Sequence, residues 1–297
     1  MRRRTYLSSL SGLTLAGAAG CLGTSTTDRG PVGSWAGAEI EFGLPPFENA
    51  EDLLESYRPT FDWLESGFED VDSVTGVTTT SYSAVVESVV NGHTELANLS
   101  PVTYVLAASD GINPLVLNWS HGRDFYRSYI ATRADTEIES LDDIAGKTVA
   151  MVDPLSTSGG MFPRYILSQA GLDVGNLDTE PADFDIEWAF GHDASLRALQ
   201  EGHVDAAAYG DFQHPDNSDT IVKLAESDPI PFDPIVARPD TPEDVRTAIT
   251  ERLLEIPSER LEDHRIDKFG RVDDSTYDPV RDVVEEMGVD IGDLDEN

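Results

Sequence analysis

SYSAVVESVVNGHTELA, residues 81–97, and GHDASLRALQEGHVDAA, residues 191–207, align without a gap at an offset of 110 residues. Each opens in a polar cluster and runs with helical spacing to a Gly-His pair, Gly92-His93 in one and Gly202-His203 in the other. An acid and a short apolar segment follow in both. A repeated helix–turn–strand unit is what two similar lobes leave in a chain. The shared turn reads as structural, with glycine at a helix C-terminus and histidine satisfying end carbonyls, so His93 and His203 are not expected as ligands. Tyr82 and His192 take equivalent places at the two helix starts, where free N–H groups and the helix dipole favour an anion. In an α/β sheet those ends face the ligand crevice, so two of them across a cleft make an oxyanion pocket.

Outside the repeat, the pattern alternates strands with helices. Ile40, Phe42 and Leu44 alternate with polar or small residues and end at Pro45-Pro46, as a strand does. Asn49 can cap a helix carrying Leu53, Leu54, Tyr57, Phe61 and Leu64 at helical spacing, and Pro59 is expected to break or kink it. Further strands are expected at 74–79, 115–119, 126–132, 148–152, 186–190 and 204–209. Helices are expected at 83–91, 101–109, 160–170, 193–200, 242–254 and 279–287. Strands alternating with helices of this length argue for parallel α/β sheets.

The 297 residues hold 20 Lys plus Arg against 56 Asp plus Glu, a net charge of −36. Such a chain is repelled by phosphate backbones, which excludes a nucleic-acid-binding role. Lys147, Lys223 and Lys268 are its lysines. With 39% apolar residues the chain folds, and so many carboxylates with so few lysines point to a protein made for molar salt, as in a haloarchaeon. There the Debye length is about 3 Å, and self-repulsion is screened.

Residues 1–20 read as an address label. Arg2-Arg3-Arg4 precede Tyr6-Leu7 and a weakly apolar run too short to span a bilayer, the pattern of a twin-arginine export signal. Ala18-Ala19-Gly20-Cys21 resembles a lipobox, which would place lipid on Cys21. Cys21 is the single cysteine, so no intrachain disulfide can form. Residues 21–37 are rich in Gly, Ser and Thr and read as a flexible linker from the lipid to the folded body. The mature chain is therefore expected at the cell surface, extracytoplasmic and lipid-anchored to the cytoplasmic membrane.

The most informative short stretch is Val152-Asp153-Pro154-Leu155-Ser156-Thr157-Ser158-Gly159-Gly160, after a strand and at a helix start. Ser and Thr hydroxyls with free backbone N–H groups can surround tetrahedral oxygens there without a lysine. An ordinary Ser/Thr cap would read the same way locally. A P-loop is excluded, since no Gly-Lys-Ser/Thr follows.

Taken in order, Thr80-Ser81-Tyr82-Ser83-Ala84, Pro101-Val102-Thr103-Tyr104, Tyr126-Arg127-Ser128, Ser156-Thr157-Ser158-Gly159, Gly191-His192-Asp193-Ala194-Ser195, Gly202-His203-Val204-Asp205-Ala206 and Pro229-Ile230-Pro231-Phe232-Asp233-Pro234 resemble the phosphate/phosphite/phosphonate-binding proteins of ABC transporters, the PhnD family. The likeness covers roughly residues 39–255. It implies an α/β, two-lobed type II periplasmic-binding-protein fold, each lobe a mostly parallel sheet flanked by helices, with the ligand in the cleft. Lobe 1 is expected at 38–131 and 216–297 and lobe 2 at 132–215, with chain crossings near 130–135 and 212–220. The family implies that Ser156, Thr157 and Ser158 bind phosphoryl oxygens and that Tyr82, Tyr126 and His192 donate from the opposing wall. It implies that Asp211 and Asp233 accept from a ligand amino group or a protonated oxygen. An acid beside fully ionised sulfate would be repelled, whereas a protonated phosphorus oxyanion offers it a hydrogen. Ser81 where many relatives carry Asp, Leu99-Ser100-Pro101 in place of a Gly-Pro pair, and Gly160-Met161 where an aromatic is frequent are departures.

The implied function is a monomeric solute-binding lipoprotein, not an enzyme, with no cofactor and no metal. It would deliver a phosphorus oxyanion (phosphonate, phosphate or phosphite) to a membrane permease driven by a separate ATPase subunit. The alternatives are a binding protein for sulfonate, molybdate or another oxyanion, or a secreted hydrolase of phosphoesters using Ser156 with His192 and an acid. No Gly-x-Ser-x-Gly elbow supports the hydrolase. His121, His214 and His264 show no metal-site spacing, and the acidic stretches 69–72 and 290–297 lack that of a calcium loop. Loss of residues 1–20 leaves the mature chain at −39, which repels an anion in dilute buffer. Ligand affinity is therefore expected to rise from low to molar KCl, as titration calorimetry across a salt series can show; affinity falling steadily with KCl would contradict this.

Overall fold

The computed structural model describes residues 30–289 except 178, 217, 263 and 264. The export signal, Cys21, residues 21–29, His264 and the acidic stretch 290–297 lie outside the described residues. In chain order the elements are α1 (Pro31–Ala36), β1 (Glu39–Leu44), α2 (Ala50–Glu65), β2 (Ser73–Thr78), α3 (Tyr82–Val90), β3 (Leu96–Asn98), α4 (Pro101–Ala107) and β4 (Asn113–Trp119). There follow β5 (Phe125–Tyr126), β6 (Ser128–Arg133), β7 (Thr148–Met151), α5 (Phe162–Gln169), β8 (Asp185–Trp188), α6 (His192–Gln200) and β9 (Ala206–Gly210). The chain closes with β10 (Ile221–Glu226), β11 (Ile230–Pro231), β12 (Pro234–Ala237), α7 (Glu243–Leu254), β13 (Lys268–Gly270) and α8 (Asp278–Glu286).

Two sheets organise these elements. The first runs β13-β4-β12-β3-β1-β2, the second β10-β6-β9-β7-β8, and β5 pairs with β11 as a two-stranded ribbon. The sheets are mixed where mostly parallel ones were expected. β1 pairs in parallel with β2 and β3, and β7 with β8 and β9, whereas β12, β13, β6 and β10 pair antiparallel with their neighbours. The parallel strands are those joined by helical crossovers. β6 and β12 follow a passage from the other sheet and are free to run the opposite way. The passages flank the β5–β11 ribbon, and the second sheet takes in 128–133 and 221–226. That carries its edges outside the expected span of 132–215.

The repeat is real at the level of backbone. α3 and α6 both begin one residue into their motifs, and β3 and β9 both begin fourteen residues later. Gly92 and Gly202 turn the chain at φ of 70° and 75°. The backbone N–H groups of His93 and His203 donate to the carbonyls of Ser88 and Ala198 at 2.8 and 3.0 Å. So the end carbonyls are satisfied by histidine backbone, and both imidazoles stay exposed. Along β9 every residue is buried, as a central strand requires.

Two local expectations need correcting. Pro59 sits inside α2, which continues to Glu65, because Tyr57, Phe61 and Leu64 carry its buried face across the proline and pack on Phe42. The linker does not extend to residue 37. α1 is folded, Val32 is buried, the Gly33 N–H donates to Asp70 Oδ2 at 2.7 Å, and Arg238 lies over the Trp35 ring. No helix among the described residues is long and apolar enough to cross a membrane.

Because the turns at Gly92 and Gly202 need left-handed φ, and a Cβ there would meet nothing closer than the Arg238 side chain at 3.8 Å and the Arg133 side chain at 3.4 Å, Gly92→Ala and Gly202→Ala should each cost about 1–2 kcal/mol. The asparagine variants should cost less. Denaturant unfolding in molar KCl measures both, and unchanged stability in the alanine variants would refute the left-handed requirement at these turns.

Candidate functional site

Ser156, Thr157 and Ser158 leave β7 and open a wide, π-helical turn, Thr157–Met161, that leads into α5. Two glycines make this course possible. A Cβ on Gly159 would lie 2.2 Å from the Val152 side chain, and one on Gly160 would lie 2.0 Å from the Asp153 carbonyl oxygen. The Ser156 hydroxyl accepts from the Gly159 N–H at 3.3 Å, and the Thr157 hydroxyl accepts from the Val102 N–H at 2.9 Å. With an acceptor position of each oxygen in use, each hydroxyl keeps its hydrogen to donate elsewhere.

Those bonds also join the two sheets. Val102 stands in the first turn of α4, and Ser100 Oγ, its cap, donates to the Leu155 carbonyl at 3.3 Å. The Asp153 carboxylate accepts from the backbone N–H groups of Leu155 and Tyr82, the latter at the start of α3. Burial raises the pKa of Asp153, and these two donors oppose the rise. The segment after β7 thus occupies N–H groups at the starts of two helices of the first sheet.

Between the sheets lies a cavity of about 20 Å³ lined by Phe47, Tyr82, Ser100, Tyr126, Ser156, Thr157, Ser158, His192, Phe212, Phe232, Asp233 and Arg265. It brings together seven of the eight expected ligand residues. Asp211 does not line it: its Oδ2 pairs with Arg123 at 2.9 Å on the way to the β5–β11 ribbon. The sequence reading missed Phe47, Ser100, Phe212, Phe232 and Arg265. Arg265 lies past the last matched motif, in a loop before β13 with no local pattern to mark it.

The polar groups divide sharply. Tyr82 is buried, and its hydroxyl faces that of Ser156. Burial raises its pKa and that of Tyr126, whose hydroxyl faces Thr157 and Ser158, so both are neutral donors. His192 Nδ1 accepts from the Gly210 N–H at 3.1 Å, which leaves the neutral ring its hydrogen on Nε2. Burial, aided by the charge of Arg265, pushes the His192 pKa down to about 3. One carboxylate faces these donors. Burial pushes Asp233 up to about 7, against the opposing effects of Arg265 and of Asn98, whose Nδ2 donates to Asp233 Oδ2 at 3.4 Å. Asn118 Nδ2 fixes the orientation of Asn98 by donating to its Oδ1 at 2.7 Å.

A larger groove of about 520 Å³ adjoins the site, but its buried charges are already engaged. Arg164 donates twice to the Val174 carbonyl, and Asp153 is used as described above. Among the described residues no group of His, Cys, Asp and Glu is placed to hold a metal ion.

Comparisons with known proteins bear on family and fold. The family model of the phosphonate periplasmic substrate-binding proteins of ABC transporters matches residues 42–277. The phosphate-import protein PhnD of Mycolicibacterium smegmatis is 36% identical over 173 residues, which span 56% of this chain and only 53% of that protein. Among solved structures, PhnD1 of Prochlorococcus marinus in complex with methylphosphonate superposes with a TM-score of 0.72 at 17% identity, covering 84% of this chain and 98% of that one. A binding-protein component of a Pseudomonas aeruginosa ABC phosphonate transporter gives 0.71 at 19%, covering 84% and 86%. At such identities the structures establish the type II periplasmic-binding-protein fold.

Asp233 and His192 leave opposite marks on stability. The folded state keeps a proton on Asp233 that the unfolded chain gives up near pH 3.8, so this contribution is lost as pH rises from about 4 to about 7. The folded state refuses His192 a proton that the unfolded chain takes below pH 6.5, so that contribution is lost as pH falls towards 3. Relative to wild type, Asp233→Asn should therefore be stabilised increasingly as pH rises from 4 to 7, and His192→Asn increasingly as pH falls from 6.5 to 3. Melting curves across this range test both, and differences from wild type that ignore pH would refute the assignment.

Proposed function

The chain belongs to the phosphonate substrate-binding proteins of ABC transporters, and from that premise we propose that it captures a small phosphorus oxyanion in the cavity between its two sheets. The observation that carries the reading is the polarity of the wall. Tyr82, Tyr126, Ser156, Thr157, Ser158 and His192 are neutral donors, and Asp233 faces them as a single acid. A tetrahedral oxyanion with one protonated oxygen matches this set, giving acceptors to six groups and a hydrogen to the seventh.

Size and protonation narrow the ligand. Phe47, Phe212 and Phe232 enclose the cavity, and its volume suits phosphate, phosphite or methylphosphonate better than an aminoalkyl phosphonate. Sulfate has no hydrogen to offer, so once Asp233 is ionised, above about pH 7, it repels sulfate. The hydrolase reading lacks support in the geometry. A general base needs an acceptor behind its Nδ1–H, and His192 Nδ1 instead accepts from a backbone N–H while its pKa lies far below neutral.

In this reading the described residues of 38–127 and 228–289 form one lobe, those of 128–227 the other, and the ribbon passages serve as hinge. Ligand touching both walls favours the closed form, which a permease with its ATPase subunit then unloads. The export signal and a lipid on Cys21 would hold a monomer outside the cytoplasmic membrane.

Thermal unfolding of the purified chain in molar KCl, with phosphate, phosphite, methylphosphonate, 2-aminoethylphosphonate, sulfate and molybdate, tests the proposal. A specific ligand at a hundred times its Kd adds about 2.7 kcal/mol, a rise of several degrees. The expected outcome is a rise with one or more of the three small phosphorus oxyanions and none with sulfate at pH 7.5. A rise with sulfate or molybdate alone would overturn it.

A further inference from the structure

We propose that Arg265 is a ligand-binding residue, supplying the positive charge that lets the cavity hold a dianion next to Asp233. The assignment rests on the oxyanion reading above and adds the ligand's charge state to it. Arg265 is the cation among the described residues that line the cavity; every other donor there is neutral. A dianion stripped of water in a protein of net charge −36, with an acid on the wall, is poorly held by neutral hydroxyls alone.

Its placement suits the role. The guanidinium carbon lies 4.8 Å from the Phe47 ring centroid and 5.7 Å from that of Phe212, so it bridges a ring of the first body and one of the second. The Ser120 hydroxyl donates to its backbone carbonyl at 2.7 Å, which fixes the root of the side chain. With Phe212, Phe232 and Asp233 it lines both the enclosed cavity and a second, outer one of about 290 Å³, and so forms part of the partition between them.

The charge is not consumed by a close ion pair. Arg123 is held by Asp211 at 2.9 Å and Arg238 by Glu95 at 2.9 Å, whereas the carboxylate paired with Arg265 is Glu48 at 3.5 Å, on a side chain itself 31% exposed. Glu48, Tyr57, Tyr82, His192 and Asp233 all feel the guanidinium electrostatically, which places it within reach of both walls.

Calorimetric titration of the full chain with inorganic phosphate in molar KCl tests this, comparing wild type, Arg265→Gln and Arg265→Lys above and below the second ionisation of phosphate. Arg265→Gln should weaken binding about tenfold or more at pH 8.5, where the ligand is a dianion, and markedly less at pH 5.5, where it is a monoanion. Arg265→Lys keeps the charge and should retain most of the affinity at both. Equal losses at the two pH values, shared by both variants, would assign Arg265 to packing and overturn the proposal, as would unchanged affinity in Arg265→Gln. Failure of wild type to bind phosphate, phosphite or methylphosphonate would overturn the functional reading itself.

Discussion

A hydroxyl whose oxygen already accepts a hydrogen bond can turn its own hydrogen toward something else, and the site depends on that asymmetry. Ser156 accepts from Gly159, Thr157 from Val102, and His192 Nδ1 from Gly210. Each bond is a fold contact, made by a helix start or a strand end, and each leaves the group a hydrogen to donate. The elements that fix the backbone therefore fix the polarity of the wall as well. Were these acceptors free, the hydroxyls could rotate to bond one another, and an anion would have to reorient them at a cost. Pre-set donors avoid that reorganisation.

The same bonds explain why the site sits at the junction of the sheets. α3 and α4 each present free N–H groups at their starts, and the segment after β7 supplies oxygens to both: the Asp153 carboxylate to Tyr82 and the Thr157 hydroxyl to Val102. Helix starts that would otherwise attract any anion are thus used to join the two bodies. The start of α6 carries no side-chain cap. Tyr82 and His192 stand at the starts of α3 and α6, and in the reading above they meet the ligand through a phenol and an imidazole.

Much of this was legible in the chain because repeats and helix starts leave local marks. The 110-residue echo gave two equivalent helix–turn–strand units, the Ser-Thr-Ser-Gly-Gly run marked a helix entry, and ordered family motifs reached seven lining residues. What stayed hidden depends on tertiary approach. Asp211 follows a buried strand much as a site acid would, yet Arg123, 88 residues earlier, reaches it first. The direction of β6 and β12 follows from passages between sheets, which hydrophobic pattern does not encode. Phe47, Phe212 and Arg265 come from three separate loops and meet only because the ribbon brings the two bodies together.

Arg265 also reconciles two features that otherwise pull apart. A surface carrying dozens of carboxylates suits molar salt, where charges beyond a few ångströms are screened. Inside an enclosed cavity that screening is weak, so the local balance of charge decides what can enter. Asp233 alone would favour a neutral or singly charged guest. Arg265 at the partition compensates it without the strong hydration of an ammonium, and its planar guanidinium rests against aromatic rings that keep water out. An acidic exterior and an anion-binding interior are thus compatible because salt screens the first and one sheltered guanidinium offsets the second.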